Sequence, residues 1–138
     1  MRHLTKKYRY QREACSQLSI AMALGCEAET VALQVGHWRG MSTQEILKYL
    51  DRKGMLRDAT YNVSNERMGG VGILIINNGR EGHAMAFKDG IIYDPNGRLF
   101  NSYEDACMQY SFATDSQWVA ERIMTVAPVK TREWSVGV

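Results

Sequence analysis

Proline is nearly missing from this chain. Two occur in 138 residues, so few segments are barred from helix or sheet on that ground. Cysteine and histidine are scarce as well, at three each. Cys15, Cys26 and Cys107 are odd in number and widely spaced, which argues against a disulfide framework and for reduced thiols in a cytosolic setting. No CxxC pair and no close histidine pair occurs among these and His3, His37 and His83, so spacing gives no ground for a structural zinc. No stretch approaches the ~18 apolar residues needed to cross a bilayer. The first dozen residues lead into neither an apolar signal core nor a small-residue cleavage site, which points away from export and toward the cytoplasm. Repeats, low-complexity runs and linkers are absent too, and the sequence reads as a single domain over 1–138, long enough for a sizeable core.

What is present begins with charge. Formal net charge is only +2, which decides little about partners. Yet Arg2, Lys6, Lys7, Arg9 and Arg12 all precede the first acid, Glu13, giving a basic N-terminal arm over 1–12. Such a patch can meet nucleic acid or an acidic partner, but the commoner use is a solvated terminal arm, and nucleic acid is not the expected partner.

Patterning divides the chain. Good helix formers over 14–24 place Cys15, Leu18, Ser19 and Met22 on one face, with Gly25 as the stop. A second helix is expected over 28–35, and 36–40 reads as a loop. Ser42 and Glu45 form a capping-box pattern opening a helix that buries Ile46, Leu47 and Leu50 and closes at Gly54. Residues 71–76 form a continuous, largely β-branched apolar run suited to a central strand. Asp89-Gly90, between the apolar stretches 84–87 and 91–93, is a two-residue hairpin signal. A helix over 102–110 and a last strand over 122–129 complete an α+β pattern, with N-terminal helices packed on a C-terminal antiparallel sheet.

The hairpin carries a geometric consequence. If Asp89 and Gly90 are the turn residues, Lys88 faces Ile91, and extending that pairing sets His83 opposite Asn96 and diagonal to Asp94. Side chains alternate along strands, so His83, Asp94 and Asn96 then share one face, and either Asp94 or Asn96 can orient the imidazole. Cys15 stands at a helix N-terminus, where free N–H groups and the helix dipole favour a thiolate. Its own N–H can face a developing oxyanion, with the Gln11 amide as a second donor; Gln17, inside the helix, is the weaker candidate.

Gln11 ahead of the Cys15 helix, Gly82-His83 opening a strand and Asp94-Pro95 closing the next resemble the papain-like cysteine peptidases. The likeness is greatest to the compact branch that includes the leader-peptide-cleaving domains of bacteriocin exporters. The resemblance spans roughly residues 11–97. It implies a papain-like α+β fold with Cys15 as nucleophile, His83 as general acid/base, Asp94 as its orienter and Gln11 in the oxyanion hole. The implied activity is cleavage of a peptide or amide bond in a specific protein substrate, with neither metal nor organic cofactor. Glutamine deamidation or transglutamination would use the same machinery. The rival reading is a binding module with a peptidase-like fold but no turnover. His37 is a candidate wall of the site, and Cys26 and Cys107 read as packing residues.

Overall fold

The helices expected in the first third form for visible local reasons. In the computed structural model, which describes residues 1–127, α1 spans Cys15–Leu24, α2 spans Ala28–Val35 and α3 spans Thr43–Arg52. Gly25 ends α1 in the left-handed region at φ 70°, a conformation that costs other residues dearly. Ser42 Oγ accepts the Glu45 N–H at 3.1 Å, and the Glu45 carboxylate accepts the Ser42 N–H at 3.1 Å, so the capping box is complete. In α3, Ile46 and Leu50 are buried and Leu47 is half-buried.

Six strands follow: β1 (Leu56–Thr60), β2 (Val71–Asn77), β3 (Gly82–Lys88), β4 (Ile91–Tyr93), β5 (Leu99–Phe100) and β6 (Val119–Val126). They form one sheet in the order β1-β6-β2-β3-β4-β5, antiparallel throughout. The Asp89-Gly90 hairpin has the expected register, with Lys88 facing Ile91 and Ala86 facing Tyr93. Positive φ at both turn residues, 51° and 83°, is the backbone that two-residue hairpins require.

The helices are not all on one side, which departs from the simple segregation expected. Helix α4 (Tyr103–Thr114), capped by Ser102, runs a full turn past the expected end. It packs beneath the face opposite α1–α3. Ile73 and Ile75 join the cluster of Leu18, Ile20, Val31 and Ile46, whereas Leu74 and Ile76 join Phe87, Ala106 and Tyr110. Burial on both faces is why β2 reads as an unbroken apolar run rather than an alternating one. The last strand begins earlier than expected, at Val119, and its expected end at 128–129 lies outside the described residues. Strands β1 and β5 were not anticipated, since β1 (Leu-Arg-Asp-Ala-Thr) is polar and partly exposed and β5 is only two residues long.

The basic arm keeps Arg2, Lys7, Arg9 and Arg12 exposed, as expected of a solvated segment, but its backbone is docked rather than free. The Lys6 N–H donates to the Pro95 carbonyl at 3.0 Å, and His3 Nε2 lies 2.7 Å from the Asp94 carbonyl oxygen. Leu4 packs on the α1–α3 cluster. Backbone pairing and one apolar anchor thus hold the segment across the end of β4. Among the described residues no single helix is long and apolar enough to cross a membrane.

Candidate active site

Cys15 is the first residue of α1, and α1 lies against β3. Ser19, one turn on, donates from Oγ to the buried Ala84 carbonyl at 3.0 Å, fixing helix to strand beside His83. The Cys15 sulfur is hydrogen-bonded to the His83 side chain, and the Ala84 backbone also reaches it. His83 Nε2 faces Asp94 Oδ1 at 2.7 Å, leaving Nδ1 as the nitrogen that meets the thiol. Asp94 is fully buried and His83 nearly so, at 0% and 7% exposure. Thiol, imidazole and carboxylate therefore form one continuous chain of contacts.

Asp94, not Asn96, touches the imidazole. Strand β4 stops at Tyr93, so the extended register that set Asn96 opposite His83 ends before reaching it. Asn96 supports the group from behind: its N–H donates to Asp94 Oδ1 at 3.0 Å, and its Nδ2 donates to the Tyr110 hydroxyl at 2.8 Å. That hydroxyl donates in turn to Asp94 Oδ2 at 2.6 Å and sits 2.8 Å from His83 Nε2. Tyr110 had no distinguishing signal in the sequence, where it reads as one more apolar residue near the end of a helix.

The electrostatics follow from this wiring. Burial pushes the Cys15 thiol up, but the hydrogen bond and positive charge of His83, with help from Ala84 and Lys6, bring it down from 9.0 to about 7. Burial pulls His83 down, yet Asp94 and Cys15 together raise it from 6.5 to about 9. Between those values the pair stands as thiolate and imidazolium. Burial raises Asp94, and the opposing bonds from His83, Tyr110 and the Asn96 backbone carry it below its ordinary value. The other thiols behave in the opposite way. Burial raises Cys26, and raises Cys107 to about 11, and both lie against core clusters.

The remaining expected residues divide. Gln11 is buried, and its Oε1 accepts the Lys7 and Tyr8 N–H groups at 2.9 and 3.3 Å. It does not line the cleft described next. Gln17 is wholly buried and donates to the His37 and Arg39 carbonyls at 3.1 and 2.7 Å, so it anchors the loop after α2. His37 accepts the Arg39 N–H within that loop and stays outside the cleft.

A cleft of about 410 Å³ opens over Cys15 and His83, walled by Met41, Ile46, Ile75, Asn77 and Glu121 among others. Among the described residues no three His, Cys, Asp or Glu side chains gather as a metal site. No known family model matches this chain, and no curated protein matches it.

Proposed function

We propose that the chain is a papain-like, thiol-dependent hydrolase of peptide or amide bonds in a protein substrate. The supporting observation is the uninterrupted Cys15–His83–Asp94 contact, with the thiol brought to about 7 and the imidazole raised to about 9. A cysteine at a helix N-terminus, packed on a strand bearing histidine and followed by a strand end bearing aspartate, is the arrangement the papain-like resemblance implies.

The Cys15 thiolate attacks the carbonyl carbon of a substrate amide held in the cleft. The oxyanion forms facing the N–H at the start of α1, which has no partner within its own helix. The His83 imidazolium gives its proton to the leaving nitrogen as the C–N bond breaks, leaving a thioester. Neutral His83 then takes a proton from water, whose oxygen attacks the thioester carbonyl, and expulsion of the thiolate frees the acid. Asp94 and Tyr110 keep the ring aligned throughout. A glutamine side chain presents the same electrophile, so deamidation or transglutamination needs only a different acceptor. Three free thiols, one of them reactive, fit the reducing cytoplasm.

One observation favours a second reading, a binding module without turnover. Tyr8 and Tyr10 stack nearly parallel at 5.3 Å, Trp38 lies 5.1 Å from Tyr10, and both tyrosines are more than half exposed. That face suits a partner protein, and none of the three rings lines the cleft. Iodoacetamide alkylation of Cys15 against pH separates the two readings. The hydrolase predicts a rate that rises with pH through a midpoint of about 7, because deprotonation creates the thiolate. In His83→Ala only burial and weaker contacts remain, so the midpoint moves up and the rate at pH 7 falls by about tenfold or more. An ordinary thiol profile in both proteins would leave the binding module.

A further inference from the structure

In the wall of the cleft that Cys15 also lines stands a carboxylate that the reaction above does not use. Neighbouring β2 residues Ile75 and Ile76 pair with Arg122 and Ala120, so Glu121 is an extra residue bulged out of β6. Bulges of this kind re-aim a side chain and are frequent beside active sites. Here the bulge directs Glu121 into the cleft wall shared with Ile46 and Ile75. Two neutral donors from two other elements hold it: Thr43 Oγ1 reaches Oε2 at 2.9 Å, and Asn77 Nδ2 reaches Oε1 at 2.9 Å.

Each carboxylate oxygen has a second acceptor site, so capacity is left on both. The ion pairs of the described residues leave Glu121 out. Its neighbour Arg122 is turned to Tyr61, with the guanidinium 4.3 Å from the ring centre. Arg80 and Glu81 border the same cleft from the exposed β2–β3 turn. A half-buried, rigidly held anion without a cationic neighbour bonded to it is a receptor for a cation.

We propose that Glu121 sets the specificity of this cleft by taking a lysine or arginine side chain of the substrate close to the amide that Cys15 attacks. The inference rests on the hydrolase reading and gives it a substrate class: basic segments of a protein. Asn77 and Thr43 are positioning residues that keep the carboxylate aimed.

The test uses epoxysuccinyl peptides extended on both sides of the electrophile, carrying lysine or the isosteric norleucine at each position in turn. Alkylation of Cys15 is followed by mass spectrometry in wild type, Glu121→Gln and Glu121→Lys, with iodoacetamide run in parallel. The expected result is a lysine probe about 10- to 100-fold faster than its norleucine twin in wild type. Parity is expected in Glu121→Gln, and a preference for glutamate probes in Glu121→Lys. Iodoacetamide alkylation that stays rapid in both variants would show that the thiol and its fold are intact. Equal lysine and norleucine rates in wild type, or a lysine preference that survives Glu121→Gln, would overturn the assignment while rapid iodoacetamide alkylation left the hydrolase standing. Slow iodoacetamide alkylation of wild type would remove the hydrolase reading, and Glu121's role with it.

Discussion

The two faces of the sheet are built from different side chains, and the difference explains how the site is assembled. Beneath α1 and α2 the buried residues are, Met124 apart, small or aliphatic, among them Ala21, Ala23, Ala28, Ala84, Leu18 and Val31. Beneath α4 they are large and often aromatic or sulfur-bearing: Met68, Met85, Phe87, Phe100, Tyr110 and Trp118. Small side chains let a helix approach a strand closely, and here that approach delivers the Cys15 sulfur to His83. Aromatic side chains span a wide gap and carry a polar tip, and Tyr110 uses its tip on Asp94. One layer therefore supplies the thiol, while the other steadies the imidazole and its carboxylate. His83 and Asp94 lie where both can reach them.

Gly72 is where disturbing one face most surely disturbs the other. A Cβ there would collide with the Met124 carbonyl oxygen and lie 2.6 Å from the Phe87 ring, with no flexible backbone to absorb it. Gly72→Ala is expected to cost about 3 kcal/mol, read as a lowered urea midpoint with both layers lost together. An unchanged midpoint would mean that β2 and β6 are not packed as closely as described.

Tyr110→Phe is a milder cut, confined to the α4 side. The ring stays and its packing against Phe100 and Trp118 is kept, but Asp94 Oδ2 and Asn96 Nδ2 each lose a partner. Stability should fall by about 1–3 kcal/mol, the usual cost of stranding buried polar atoms. The decisive readout is the pH midpoint of Cys15 alkylation. With Asp94 less firmly held, His83 supports the thiolate less well, and the midpoint should rise by less than in His83→Ala. A loss of stability with an unmoved midpoint would make Tyr110 a packing residue only.

Much of this was legible in the sequence, and what was not shares one cause. Local chemistry wrote itself plainly: the Ser42–Glu45 box, the Gly25 stop and the Asp89-Gly90 turn each depend on residues close in the chain. Because the turn fixed the register, it also placed His83 and Asp94 on one side without long-range knowledge. Features that depend on contacts across the fold were invisible. Tyr110 meets Asp94 only because α4 folds under the sheet. Glu121 enters the cleft only because β6 bulges against β2, and no residue type announces that bulge. The docking of the basic arm rests on backbone groups, Lys6 to Pro95, to which side-chain patterns are blind.

The smallest expected effect tests the close approach on the α1 side. Ser19 and Cys15 are one helical turn apart, and both reach Ala84, Ser19 through the carbonyl and Cys15 through the backbone contact at sulfur. Ser19→Ala removes one buried hydrogen bond, so the cost should be about 1 kcal/mol. The surrounding alanines and leucine still hold α1 against β3, and alkylation at pH 7 should barely change. If the rate instead falls as far as in Tyr110→Phe, the helix is aimed by that single bond rather than by small-residue packing. The contrast between the faces would then lie in their polar pins, one hydroxyl on each side, and not in the size of the side chains around them.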